Sequence, residues 1–201
     1  RHDVLVVSDE IHCDLVYPGH KHIPFASLSD EFARHSVTCM SPSKSFNIAG
    51  LQIANIFAAD ASLRRRIDRA ININEVCDVN PFGVTGLIAA YEEGEEWLTQ
   101  LLAYLRGNYE RFRESCTELL PEFPVVELEG TYLAWMDCSA LHMDSDTLEE
   151  ELKAETGLWL NSGKMYGEAG NGFMRWNLAC PRSRVEEGLN RFLRYVEAID
   201  D

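Results

Sequence analysis

Short apolar runs separated by polar connections occupy the first third of the chain, the pattern of parallel strands buried on both faces. Val4 to Val7 is the first run, Val37 to Met40 the second, and Ile53 to Ala58 a third that suits an antiparallel strand. The spacing then changes to helical: Ser62 to Ile73 predicts a charged helix, and Pro81-Phe82-Gly83 opens another that carries Leu87, Ile88, Ala90 and Tyr91. From Glu95 to Leu120 the positions Trp97, Leu101, Leu105, Asn108, Phe112, Cys116 and Leu119 keep three-or-four spacing. At 1.5 Å per residue such a helix spans roughly 40 Å, long enough to bridge two domains.

Beyond Pro121 the pattern returns to strands at Val125 to Leu128 and Tyr132 to Met136, with Gly130-Thr131 turning between them. Asp144-Ser145 starts a helix through Ala154, Trp159-Leu160 reads as a short strand, and Phe173 to Leu178 as a final one. Ser183-Arg184-Val185-Glu186 has the form of a capping box, followed by the stripe Val185, Leu189, Phe192 and Val196. The pattern gives an α/β arrangement for residues 1–105 and an α+β arrangement for residues 106–201. No internal repeat or low-complexity tract interrupts it.

Composition narrows the function classes. Thirty-three acidic against 18 basic residues leave a formal charge of −15, and 46% of positions are apolar, which is a soluble globular balance. Such charge repels a phosphate backbone, and the one dense basic run, Arg64-Arg65-Arg66 with Arg69, reads as a solvated helix face, so no nucleic-acid partner is expected. No apolar run reaches the roughly 20 residues of a membrane-spanning helix, so no membrane partner is expected either. The six cysteines show neither a CxxC pair nor zinc spacing; they read as small core residues in a reducing, cytoplasmic setting, and no metal site is expected. Arg1-His2-Asp3 runs straight into an apolar strand with no starting methionine, which makes the chain read as part of something longer.

Candidate chemistry sits where strands end. The first strand runs into Ser8-Asp9-Glu10-Ile11-His12 and the second into Ser41-Pro42-Ser43-Lys44-Ser45-Phe46-Asn47. In a parallel sheet these carboxyl ends form the usual ligand crevice, so Asp9 and Lys44 would face one ligand if their strands are neighbours. The plain alternatives are an Asp that shapes a turn, serines that do the same, and a solvated lysine.

The segment Ser41 to Leu51, Ser-x-Ser-Lys-x-Phe-x-x-x-Gly-Leu, resembles the cofactor-lysine segment of fold-type I pyridoxal phosphate enzymes, the aspartate aminotransferase superfamily. The resemblance extends over the chain through Asn80-Pro81-Phe82-Gly83, Gly94-Glu95-Glu96-Trp97-Leu98, Gly130-Thr131-Tyr132 and Phe173-Met174-Arg175-Trp176-Asn177. Ser8-Asp9-Glu10-Ile11-His12 with Asp14-Leu15 is similar to the MalY/PatB-type carbon–sulfur β-lyases, where ordinary aminotransferases usually carry Tyr in place of His12.

The resemblance implies pyridoxal 5'-phosphate as cofactor and an amino acid as substrate, in an enzyme expected to be homodimeric. Lys44 would carry the cofactor as an internal Schiff base and shuttle the α-proton, a role for an amine that desolvation can neutralise. Asp9 would keep the pyridine nitrogen protonated, and Ser41, with Ser43, would bind the phosphate. His12 would hydrogen-bond the ring oxygen or its neighbours, or stand behind them as a satisfied histidine. Arg175 would clamp the substrate α-carboxylate, a two-pronged task suited to guanidinium, unless it merely pairs with one of the acids.

One position departs from the wider superfamily: many aminotransferases place an Arg eight residues after the lysine, and here Gln52 stands there. The β-lyase branch also tends to lack that arginine. The glycine-rich phosphate loop and the ring-stacking aromatic of the family's upstream half have no counterpart, so the chain is expected to be the C-terminal half: the end of a large cofactor domain, a bridging helix and a small domain. The implied reaction is β-elimination from cystathionine or cysteine-like substrates to pyruvate, ammonia and a thiol. An aminotransferase and a non-catalytic remnant or assembly module are the rival readings.

Overall fold

The computed structural model describes His2 and residues 4–200, with Asp200 described by its backbone alone. Arg1 and Asp3, which open the chain in the sequence reading, lie outside the described residues. The chain divides into two compact units, Arg1–Leu102 and Ala103–Asp201.

In the first unit β1 (Val6–Asp9), β2 (Ser36–Met40) and β3 (Asn55–Phe57) form one sheet in that order. β1 runs parallel to β2 with Asp9 opposite Cys39, and β3 runs antiparallel to β2 with Ile56 opposite Cys39. β1 begins two residues later than the apolar run Val4 to Val7 suggests. A strand exists only where its ladder can form, and β2 supplies partners from Ser36 onward, just after the short helix α1 (Asp30–Arg34) ends. Burial on both faces is also not what the chain shows: Val7 is 65% exposed, Ile56 48% and Phe57 53%.

Two helices follow with side-chain caps. Asp60 accepts from Leu63 N at 2.7 Å to start α2 (Ala61–Ile73), and Asn80 accepts from Phe82 N at 3.0 Å to start α3 (Pro81–Glu93), where Pro81 occupies the first turn. The long helix α4 (Glu95–Leu119) ends one residue short of its apolar pattern.

The second unit builds its core around an antiparallel sheet ordered β4 (Leu133–Asp137), β6 (Phe173–Asn177), β5 (Asn161–Ser162). β4 and β6 alternate buried and half-buried residues, so Ala134, Met136, Met174 and Trp176 face the core while Trp135, Phe173 and Arg175 share the other face. Phe112 and Cys116 of α4, Leu148 and Leu152 of α5 (Ser145–Thr156), and Leu189 and Phe192 of α6 (Arg182–Asp200) close over the first face. Burial pushes the Cys116 thiol up to about 12 and raises Cys138 further, as inert core thiols.

Three sequence expectations shift here. Val125 to Leu128 forms one bridge, Val125 to Met136, and then lifts away to the Tyr109 hydroxyl, which donates to Val126 O and accepts from Leu128 N. The short strand expected at Trp159-Leu160 forms at Asn161–Ser162, because Leu160 is drawn into the core. Helix α6 already begins at Arg182, with the Pro181 carbonyl accepting from Arg184 N, so Ser183 lies inside its first turn and is not the cap.

Candidate active-site elements

The parallel pairing of β1 and β2 brings their carboxyl ends to one edge of the sheet. Asp9 closes β1, exposed, and its Oδ1 accepts from Ile11 N at 3.2 Å, an Asx turn. Its neighbour Glu10 points into the unit instead and is buried. Its carboxylate accepts from Ser8 Oγ at 2.9 Å and Phe25 N at 3.0 Å, and pairs with His22 Nε2 at 2.9 Å. Burial alone would raise the Glu10 pKa, but the His22 contact, the Phe25 N–H and the Ser8 hydroxyl outweigh it and hold it below the ordinary value. His12 is half-buried in the following turn, where its carbonyl accepts from Leu15 N at 3.0 Å.

At the end of β2 the chain turns sharply through Pro42 to Asn47. Phe46 N bonds to Pro42 O at 2.9 Å and Ile48 N to Ser43 O at 3.1 Å, and Asn47 takes a positive φ of 55°. Lys44 stands exposed on this turn, and Ser43 beside it is half-buried. The buried Ser41 shapes the turn, since its hydroxyl donates to Ile53 O at 2.6 Å and accepts from Ser43 N at 3.1 Å. Its one proton is therefore committed inside the protein. Gln52, at the position of the superfamily arginine, is exposed in a left-handed backbone conformation with φ 50°.

The two strand ends are tied together. Ser45, fully buried, donates to Asp14 Oδ2 at 3.0 Å. The corner between α3 and α4 backs the same turn: Trp97 Nε1 donates to Ser45 O at 3.4 Å, and Phe46 meets Tyr91 edge to face at 5.9 Å. Gly94 permits that contact, since a Cβ there would sit 2.5 Å from the Phe46 ring and 2.3 Å from Ala90 O. Burial pushes the Tyr91 hydroxyl up to about 12, with Asp14 and Cys13 adding to it.

Arg175 belongs to the second unit, on the half-buried face of its sheet. Its Nη2 donates to Asn161 Oδ1 at 2.8 Å, and its guanidinium carbon lies 4.6 Å from the centre of the Tyr166 ring. Both partners are neutral. The expected rival, a simple pairing with one of the acids, is not what these contacts show. Trp135 pairs with Arg175 in the ladder and meets Tyr166 edge to face at 5.4 Å. Sequence reasoning missed Glu10, Ser45 and Asn161 as supports. Each works through a partner 12 or more residues away, which no local spacing announces. No group of three or more His, Cys, Asp or Glu side chains able to hold a metal ion occurs among the described residues.

The first unit therefore presents a lysine turn beside a carboxylate-bearing strand end, on a mixed sheet with one parallel and one antiparallel pairing rather than the mostly parallel sheet expected, and the second presents an arginine on an antiparallel sheet of its own. The chain belongs to the aminotransferase class I and II family, whose profile matches residues 1–192. It is 41% identical over 191 residues to the cystathionine β-lyase PatB of Bacillus subtilis, an alignment that covers 95% of this chain and 49% of that protein. Among solved structures it resembles cystalysin from Treponema denticola, which contains a pyridoxal 5'-phosphate cofactor (TM-score 0.93, 31% identity, 97% of this chain and 50% of that one). It equally resembles a PLP-bound putative aminotransferase from Clostridium difficile (TM-score 0.92, 41% identity, 96% and 50%). The chain spans about half the length of the curated relatives it matches.

Proposed function

We propose that this chain is the C-terminal portion of a pyridoxal phosphate-dependent carbon–sulfur β-lyase, with residues 1–105 completing a large cofactor domain and residues 106–201 forming the small domain. The observation that carries the reading is the parallel register of β1 and β2, with Asp9 opposite Cys39, which sets the Asp9 carboxylate and the Lys44 turn at one sheet edge. The donor set fits the cofactor: an exposed amine, an exposed carboxylate and a hydroxyl-bearing turn. Bound there, pyridoxal phosphate supplies an electron sink for the pair of electrons left when the α-proton departs.

The chain's own residues do the rest. Asp9 provides the negative charge that holds a proton on the pyridine nitrogen. Lys44 would hold the cofactor through its Nζ, and as a free amine it would take the proton from the substrate α-carbon and pass it to the departing thiolate, which leaves as the thiol. Ser41 and Ser43 belong to the phosphate side. Ser41 donates to Ile53 O, so it contributes to a phosphate only by giving up that bond, and Ser43 is the freer donor to propose. His12 belongs beside the ring oxygen, and Arg175 takes the substrate α-carboxylate on its remaining N–H fork.

Likeness to PatB favours elimination over amino transfer. The whole protein would act as a homodimer in the cytoplasm, a setting that the six unpaired cysteines suit. The test is to supply L-cystathionine with no keto-acid acceptor and measure pyruvate. Stoichiometric pyruvate, ammonia and thiol are expected; turnover that requires a keto acid and yields no pyruvate makes the protein an aminotransferase instead.

A further inference from the structure

The neutrality of Arg175's partners has a chemical consequence. β5 sets Asn161 directly opposite Arg175 in the ladder, and its amide oxygen accepts one of the five guanidinium N–H groups. The Tyr166 ring covers one face. One edge of the fork and the full positive charge are left for an incoming group.

The segment bearing Asn161 and Tyr166 is itself pinned. Ser162 N donates to Glu149 Oε2 at 2.7 Å and Ser162 Oγ to Asp146 Oδ1 at 2.6 Å. Lys164 Nζ donates to Asp144 Oδ2 at 2.6 Å. These carboxylates lie at the start of α5 or on it, so acidic residues are plentiful nearby, yet an amide holds the arginine. A carboxylate at position 161 would fill the same space and accept the same hydrogen bond, but it would neutralise the charge that recognises the ligand.

We propose that Asn161 is a positioning residue for Arg175: it fixes the plane of the guanidinium through a neutral acceptor and so reserves the positive charge for the α-carboxylate of the substrate, making the protein selective for free amino acids over their uncharged carboxyl derivatives. This rests on the reading of Arg175 given above.

The test uses the full-length, cofactor-loaded protein and two probes, L-alanine and L-alaninamide, which differ in the carboxylate alone. Dissociation constants are taken from the change in visible absorbance at one pH, and their ratio reports the carboxylate preference. Asn161→Ala is expected to lower the preference severalfold and Asn161→Asp about tenfold or more, although aspartate is the closer match in shape. A purely structural role predicts the reverse order, with Asp restoring what Ala loses, and a general folding defect weakens both probes alike and leaves the ratio unchanged. A preference in Asn161→Asp equal to wild type, or no lower than in Asn161→Ala, overturns the inference. Should the Asp variant not fold, Asn161→Ala decides, and an unchanged ratio there overturns it. Arg175→Ala separates the two levels: if it leaves the ratio intact the reading of Arg175 fails, whereas if it abolishes the preference and the Asn161 variants do not lower it, the inference alone fails.

Discussion

The buried Ser45 hydroxyl donates to Asp14 Oδ2 at 3.0 Å, joining the turn that carries Lys44 to the loop that follows Asp9. Thirty-one residues separate the two, so the bond fixes the relative position of two segments that the strand ladder fixes only as far as Asp9 and Cys39. Ser45→Ala is expected to cost about 1 kcal/mol of stability and to weaken cofactor retention severalfold, while Ser45→Thr retains the hydroxyl and most of both. Thermal unfolding and cofactor release by dialysis measure the two effects. Equal cofactor retention in all three proteins would show that the bond does not support the lysine turn.

Lys44→Ala should remove both the visible absorbance of the loaded protein and its turnover, because no amine remains to bond the cofactor or to carry the α-proton. Borohydride reduction of the wild type followed by peptide mass analysis should find the cofactor mass on the peptide containing Lys44. A label on another lysine would reassign the site.

The Glu10 carboxylate links stability to pH. Although burial raises its pKa, the His22 contact and the Phe25 and Ser8 hydrogen bonds lower it further, so its net value lies below that of the unfolded chain. Such a group stabilises the folded state fully above the ordinary carboxylate range, and that contribution is lost as pH falls through it and on through the lower folded value. Urea midpoints of the wild type should therefore drop as pH is lowered from about 6 to about 3.5, and Glu10→Gln, less stable at pH 6, should show a shallower drop. Parallel curves for the two proteins would assign the acid sensitivity elsewhere.

How far these features were legible depends on the range of the interaction that makes them. Helix α4 was readable because Leu105, Asn108, Phe112 and Cys116 recur on one face and are all buried. The Lys44 turn and the Asp9 strand end were readable because chemistry-bearing residues follow apolar runs directly. The start of β1 was not, since the ladder offered by β2 decides it and Val4 and Leu5 are as apolar as Val6 and Val7. Asn161 was invisible for a similar reason: an asparagine after a tryptophan and a leucine carries no sign that a register puts it opposite Arg175. Fully buried Asn108 looked like an apolar position by spacing alone. Its Nδ2 donates to Leu178 O and Cys180 O, both at 3.0 Å, and its Oδ1 accepts from Arg182 Nε at 3.3 Å, so a polar residue locks α4 to the chain between β6 and α6.

The two units should differ in how they open. The second unit encloses a continuous buried cluster in which Phe112 and Trp176 pack at 4.9 Å and Phe123 meets Phe192 edge to face at 5.3 Å. Opening β4 or β6 exposes that core, so their amides should exchange only in near-global unfolding of the unit. In the first unit the three-stranded sheet keeps Val7, Ile56 and Phe57 about half exposed or more, and its outer strands each pair on one side. Fewer buried contacts oppose local opening there, and the open edges of β1 and β3 invite pairing with another chain. For the 201-residue chain with its mass verified, hydrogen exchange is expected to be slower at Ala134, Met136, Met174 and Trp176 than at Val7, Ser8, Ile56 and Phe57, and addition of pyridoxal phosphate to this chain alone should leave that order unchanged. Protection of β1 and β3 equal to that of β4 and β6 would mean that the first unit is as cooperative as the second, against what its exposed apolar side chains imply.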